Sequence, residues 1–261
     1  MDLNLLGRHA LICGASEGIG RAAAHELALL GADVTVLSRR ADALRIVVEA
    51  LPRRDGQRHH AVVADVSDIA TLRVAIDGLV AERPVSILVN NTAGPPGGPA
   101  HTASPEAFTD TFNRHLLASH ALVQASLPGM RAARWGRIVN VISTSVREPI
   151  PNLGVSNTIR GAVAAWAKTL SRELGANGIT VNNVLPGYTE TARLAQILND
   201  RARASGQSED AVAAAMRQTV PAARFARPDE IAAAIAFLCT PAAAYINGVS
   251  LAVDGGRMQS I

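Results

Sequence analysis

Gly14-Ala15-Ser16-Glu17-Gly18-Ile19-Gly20 is the stretch on which the fold turns. It follows a short apolar run, residues 10–13, and leads into an Ala-rich stretch of helical period. Glycines are wanted in such a turn for three physical reasons. One supplies a tight turn, one lets the backbone approach a pyrophosphate, and one lets the helix pack closely on the strand. The helix N-terminus behind them offers free N–H groups and a positive dipole end to a phosphate. A glycine pattern alone is a weak signal; set between a strand and a helix it reads as a dinucleotide-binding turn. Gly14, Ser16, Glu17, Gly18, Ile19 and Gly20 are therefore expected at the phosphates.

Working outward, the strand–helix alternation repeats. Short, mostly β-branched apolar runs recur at 34–37, 61–64, 87–89, 138–142, 180–185 and 250–253, with amphipathic Ala-rich stretches between most of them. This predicts a single doubly wound α/β domain over 1–261, a Rossmann-type parallel sheet of about seven strands with helices on both faces. Parallel strands buried on both faces read as unbroken apolar runs, as these do. The Pro/Gly cluster at 94–99 is expected to be a loop after the fourth strand. The segment 187–227 is long and polar, with helical patterns at 194–203 and 209–217. A long excursion at the carboxyl end of a strand is where such sheets place a substrate lid.

Composition excludes several classes. The net charge is only +3, and no block of five or six basic residues appears, so no nucleic-acid partner is expected. Cys13 and Cys239 lie in separate apolar runs and read as buried, reduced thiols of a cytoplasmic protein. Residues 1–10 lack the apolar stretch of a signal peptide. Residues 231–253 carry no charged side chain and could span a bilayer by length. Pro241 and the turn pair Asn247-Gly248 divide them into helix, turn and strand, so no membrane span is expected. His59-His60 has no partner at ligand spacing, and no metal site is expected.

Further motifs follow in order. The spacing Gly-x-x-x-Gly-x-Gly is followed by Asp65-Val66, Asn90-Asn91-Thr92-Ala93-Gly94, Pro186-Gly187 and Asp254-Gly255-Gly256. Over its whole length the chain resembles the short-chain dehydrogenase/reductase family, and in overall pattern its bacterial 3-oxoacyl-carrier-protein reductases. Cys13 stands where that family usually has threonine, and Thr92 alters its Asn-Asn-Ala-Gly motif. The resemblance implies an NAD(P)-dependent oxidoreductase acting on a small carbonyl or alcohol substrate. It implies Asp65 and Val66 at the adenine, with Asn91, Gly94, Pro186 and Gly187 also lining the cofactor. Thr189 and Thr191 would hold the nicotinamide amide and a phosphate. It also implies a homo-oligomer, tetramer or dimer, packed through 105–131, 156–176 and 250–253.

The end of the second strand bears on NADP against NAD. A carboxylate there binds the ribose 2′-OH and repels a 2′-phosphate. Here the residues are Leu37-Ser38-Arg39-Arg40, without a carboxylate. Ser38, Arg39 and Arg40 predict NADP in preference to NAD, because a guanidinium meets a phosphate with a planar fork. Glu17 opposes this, standing where many NADP-dependent members carry a basic residue.

The resemblance fails at the catalytic residues. The family uses a serine, a tyrosine thirteen residues on, a lysine four beyond, and an asparagine on the preceding helix. Aligning the fifth strand puts Ser143 at the serine, Ser156 at the tyrosine and Arg160 at the lysine, which also binds the ribose. Anchored on Leu127-Pro128-Gly129-Met130, the asparagine position carries His115. Serine cannot replace a phenol as the acid by itself, and arginine stays charged. His115 and Tyr188 are the other candidate proton donors. A dinucleotide- or ligand-binding protein without turnover, and a non-redox enzyme, are the alternatives.

Overall fold

All five residues of β1 (His9–Cys13) are buried. Ala10 and Ile12 face one core while Leu11 and Cys13 face the other, as the period-2 geometry of a strand covered on both faces requires. The computed structural model describes residues 1–54 and 56–260. Around β1 it arranges β2 (Asp33–Ser38), β3 (His60–Val63), β4 (Ile87–Asn91), β5 (Gly136–Val141), β6 (Ile179–Pro186) and β7 (Ser250–Val253). All pair in parallel, in the order β3-β2-β1-β4-β5-β6-β7. Each apolar run of the sequence is thus a strand, and the sheet is the expected doubly wound one. The order reverses between β1 and β4, and ligand crevices form at the carboxyl ends beside such a reversal.

The helices are α1 (Gly18–Leu29), α2 (Ala41–Ala50), α3 (Ile69–Glu82), α4 (Pro105–Phe112), α5 (Ala118–Ala132), α6 (Gly154–Leu174), α7 (Ala192–Ser205), α8 (Glu209–Gln218) and α9 (Pro228–Leu238). Leucines and alanines of α1, α2 and α9 fill the core on one face of the sheet. Those of α3, α5 and α6 fill the other. Both cysteines are free and buried, and burial pushes each thiol up to about 12.

Three details differ from the sequence reading or go beyond it. Between α4 and α5 the helical path through 105–131, the range the resemblance implies for oligomer packing, is interrupted at Asn113–Leu117 by a wider π-type turn centred on His115. Such turns shift the phase of the residues beyond them and recur at functional sites. Segment 187–227 builds its own small core from Leu194, Ala202, Val212, Met216 and Phe225, so α7 and α8 form a packed pair rather than a loop. Finally, Asn90, Asn140 and Asn183 lie at paired register positions across β4, β5 and β6. Asn90 donates to Asn140 at 2.9 Å, Asn140 to Asn183 at 3.0 Å, and Asn183 to the Ser250 hydroxyl at 3.1 Å. A one-residue slip would strand these amides in an apolar core, so the ladder fixes register.

In 231–253, α9 ends at Leu238, Pro241 opens a short 3-10 turn, and Gly248 takes a positive φ of 74° before β7. Among the described residues no helix is long and apolar enough to cross a membrane. His59 is buried and accepts from the Val34 amide at 3.2 Å. No group of three metal-ligating side chains occurs among the described residues.

Candidate active site

The chain makes its glycine turn because β1 must reverse into α1 beside β4. Gly14 takes φ +61°, and a Cβ there would lie 2.3 Å from the Asn91 carbonyl oxygen. Gly20 abuts the Gly14 carbonyl equally closely, which lets α1 rise directly off the strand. Asn91 ties the two strand ends together by donating to the Gly14 carbonyl at 3.2 Å. The first turn of α1 has neither a side-chain cap nor an acidic residue, so its amides stay open to an anion.

A cleft of about 640 Å³ runs from this turn along the carboxyl ends of the strands. Gly14, Ser16, Glu17, Gly18, Ile19, Ser38, Arg39, Arg40, Asp65, Val66, Asn91, Gly94, Pro186, Gly187, Thr189 and Thr191 line it, as do Ser143, Ser156, Arg160 and Tyr188. Of the residues singled out from sequence, only Gly20 and His115 stand outside the lining. Gly20 lies beneath the turn as a packing glycine.

At one end, Arg39 is 75% exposed and lies 3.6 Å from Asp65. The Ser67 hydroxyl and amide hold the Asp65 carboxyl below its ordinary range, with a smaller contribution from Arg39. Arg40 pairs with Glu17 at 2.7 Å and also donates to the Ser16 hydroxyl at 3.0 Å. Glu17 is therefore neutralised by its neighbour across β1 and β2. The carboxylate that argued against NADP in the sequence does not stand alone.

At the other end, Ser143 closes β5 and its hydroxyl accepts from the Ser145 amide at 3.1 Å. Ser156 and Arg160 share one face of α6, and the Arg160 Nε donates to the Ser156 hydroxyl at 3.2 Å. Arg160 Nη1 donates to the carbonyls of Ile142 at 2.9 Å and Val141 at 3.3 Å. Burial, and then repulsion from Arg193, push Arg160 down to about 10, so it remains a cation at neutral pH. Tyr188 packs edge-on against Phe225, with the Arg257 guanidinium 4.4 Å above its ring. Thr191 caps α7 by accepting from the Leu194 amide, and Thr189 donates to the Gly187 carbonyl at 3.1 Å.

His115 does not reach the cleft. It is buried behind Thr92, whose hydroxyl shares a hydrogen bond with His115 Nδ1 at 2.7 Å; its Nε2 has no partner. Burial, with the Arg160 charge second, pushes it down to about 3. A histidine neutral throughout the physiological range cannot lend an acidic proton there, which removes the reason for proposing it. The unfolded imidazole takes up a proton near 6.5 and the folded one does not, so stability falls as pH drops below about 6.5. The variant His115→Gln should therefore lose roughly 2 kcal/mol less than the parent between pH 7 and about 4.5. Urea unfolding at the two pH values checks this; parallel losses would contradict it.

Sequence reasoning missed Arg114, Arg193 and Arg257, which also line the cleft. Arg257 arrives because Asp254 of the Asp-Gly-Gly motif accepts from the Gly256 and Met258 amides and folds the chain back. Gly187 allows this, since a Cβ there would strike the Asp254 backbone at 2.7 Å.

The family model described as Enoyl-(Acyl carrier protein) reductase matches residues 14–257. The 3-oxoacyl-[acyl-carrier-protein] reductase of Vibrio harveyi is 34% identical over 257 residues, covering 97% of this chain and 98% of that protein. L-Sorbose reductase from Gluconobacter frateurii, solved with NADPH and L-sorbose, superposes with a TM-score of 0.93 at 27% identity over the whole of both chains. A 3-oxoacyl-(acyl-carrier-protein) reductase from Agrobacterium tumefaciens with NADP bound gives 0.87 at 25% identity, over 97% of this chain and 95% of that one.

Proposed function

The chain belongs to the short-chain dehydrogenase/reductase family, and on that premise we propose that it is an NADP-dependent oxidoreductase of a small carbonyl or alcohol substrate that works without the family's tyrosine–lysine pair. The observation that carries this is the cleft's phosphate end. An uncapped helix N-terminus follows a glycine turn, Glu17 is cancelled by Arg40, and the exposed Arg39, in a long 3.6 Å pair with Asp65, stands with Ser38 in the lining to meet a 2′-phosphate. NADPH or NADP in two structural neighbours supports the same cofactor.

When bound, NADP(H) supplies or accepts the hydride. The residues around it do the rest. The Ser143 hydroxyl holds the substrate oxygen at the end of β5. Arg160 supplies a fixed positive charge but no exchangeable acid, and Ser156 serves as its acceptor. Tyr188, the phenol of the cleft lining, moves the proton. The packed pair α7–α8 closes over the substrate as the lid of 187–227. The domain spans 1–261, acts in the cytoplasm, and assembles as a homo-oligomer through the long helices and β7; light scattering tests the assembly.

Arg39→Ala should weaken NADPH about tenfold or more and NADH less than about twofold, because only NADPH brings the phosphate that a guanidinium binds. Calorimetric titration with both cofactors reads this directly. Equal losses would remove Arg39 from the 2′-phosphate.

A further inference from the structure

Arg160, Arg193 and Arg257 all line the cleft, whose lining carboxylates among the described residues are Glu17 and Asp65. Both are paired with other arginines, Glu17 with Arg40 and Asp65 with Arg39. Arg160 is held only by neutral acceptors: two backbone carbonyls and the Ser156 hydroxyl. Arg193 likewise donates to the Pro95 carbonyl at 2.8 Å and the Gln196 side chain at 3.1 Å. Among the described residues neither forms a salt bridge.

The two guanidiniums flank the same loop. Arg160 Nη2 lies against Gly94, where a Cβ would come within 3.3 Å, and Arg193 holds the next residue, Pro95. Arg257 donates weakly to the Thr144 hydroxyl at 3.4 Å, while its buried Nε has no partner. Glu148, which its charge influences, already accepts from the Gln259 and Ser260 amides, and Asp254 in the same turn accepts from the Gly256 and Met258 amides. Like charges brought together out of water are unfavourable unless an anion joins them. On the NADP-dependent reading the phosphates go to the glycine turn, with Thr191 beside it, and to Ser38–Arg39, which leaves the arginines at the Gly94–Pro95 loop without an assigned anion. A carboxylate suits the pair: Arg160 still has Nη2 to donate, its Nε and Nη1 being committed, and Arg193 keeps N–H groups beyond those given to Pro95 and Gln196.

We propose that Arg160 and Arg193, with Arg257 at the rim, form the binding site for a substrate carboxylate, so that the substrate class is keto or hydroxy acids. This rests on the NADP-dependent reading above for which anions belong to the cofactor.

Malonate, dimethyl malonate and inorganic phosphate titrated calorimetrically into the NADP-saturated protein at constant ionic strength test it. Malonate should bind at least about tenfold more tightly than the diester, and Arg193→Gln should weaken malonate about tenfold while leaving NADP within about twofold. Arg193→Lys, which keeps the charge but not the fork, should fall between. Equal binding of diacid and diester overturns the proposal. So does malonate binding indifferent to Arg193→Gln, or a variant that loses NADP instead, which would give Arg193 to the cofactor. Phosphate binding as tightly as malonate would replace the carboxylate with a phosphate group. If NADP does not bind at all, the functional reading falls; malonate titrated into the free protein then decides the anion site by the same Arg193→Gln comparison.

Discussion

Ser156→Tyr combined with Arg160→Lys is expected to raise NADPH-dependent reduction of neutral ketones by roughly 100-fold, the scale on which a well-placed general acid acts. The scaffold around the two positions supports the gain. Residue 156 lines the cleft on the first turns of α6, and residue 160 lies on the same face, as the 3.2 Å contact between them shows. Ser143, proposed above to hold the substrate oxygen, lines the same cleft just after β5. A tyrosine would place a phenol where the serine hydroxyl now only accepts from the arginine. A lysine would give up the fork to the Ile142 and Val141 carbonyls and present a compact charge beside that phenol. Initial rates on a carbonyl panel, with each single variant alongside, read the outcome. A folded, NADPH-binding double variant with no gain would mean that the α6 face does not point at the reacting carbon.

The second large effect lies in the glycine turn. Gly14→Ala should destabilise the protein by about 2–4 kcal/mol, in the range of mutations that break a special backbone conformation. It should also weaken NADPH about tenfold or more. Two terms add. An L-residue at φ +61° costs about 1 kcal/mol or more. The new methyl would also lie 2.3 Å from the Asn91 carbonyl oxygen, a backbone atom at the end of β4 that can yield only by moving the strand. That movement would pull apart the two strand ends between which the phosphates are expected. Gly78→Ala is the control. Gly78 sits inside α3 with nothing within 4 Å of a Cβ, so it should gain about 0.5–1 kcal/mol, as glycine-to-alanine changes do in helix interiors. Urea unfolding and calorimetry separate the two; cofactor affinity unchanged in Gly14→Ala would show that the turn does not cradle the phosphates.

Much of this architecture was legible because parallel strands buried on both faces announce themselves. The runs around Leu11, Val36, Val89 and Val139 need no partner to be recognised as strands. The glycine turn was legible for the same local reason. What escaped depends on pairing between distant segments. Glu17 looked like an obstacle to a 2′-phosphate, and only the adjacency of β1 and β2 brings Arg40 against it. Asn90, Asn140 and Asn183 look like polar interruptions until the sheet register stacks them into one ladder. His115 aligned with a catalytic asparagine, but sequence spacing carries no depth, and the π-type turn puts it behind Thr92. Arg193 and Arg257 come from the start of α7 and from the turn after β7, and line one cleft with Arg160 only in the folded chain. Their charges were visible and their convergence was not.

Titrating the unmodified protein with NADPH and NADH by calorimetry tests the central claim most directly. NADPH should bind in the micromolar range, with NADH at least about tenfold weaker for want of the phosphate held by Ser38 and Arg39. Binding of neither cofactor below millimolar, or NADH bound more tightly than NADPH, would contradict it.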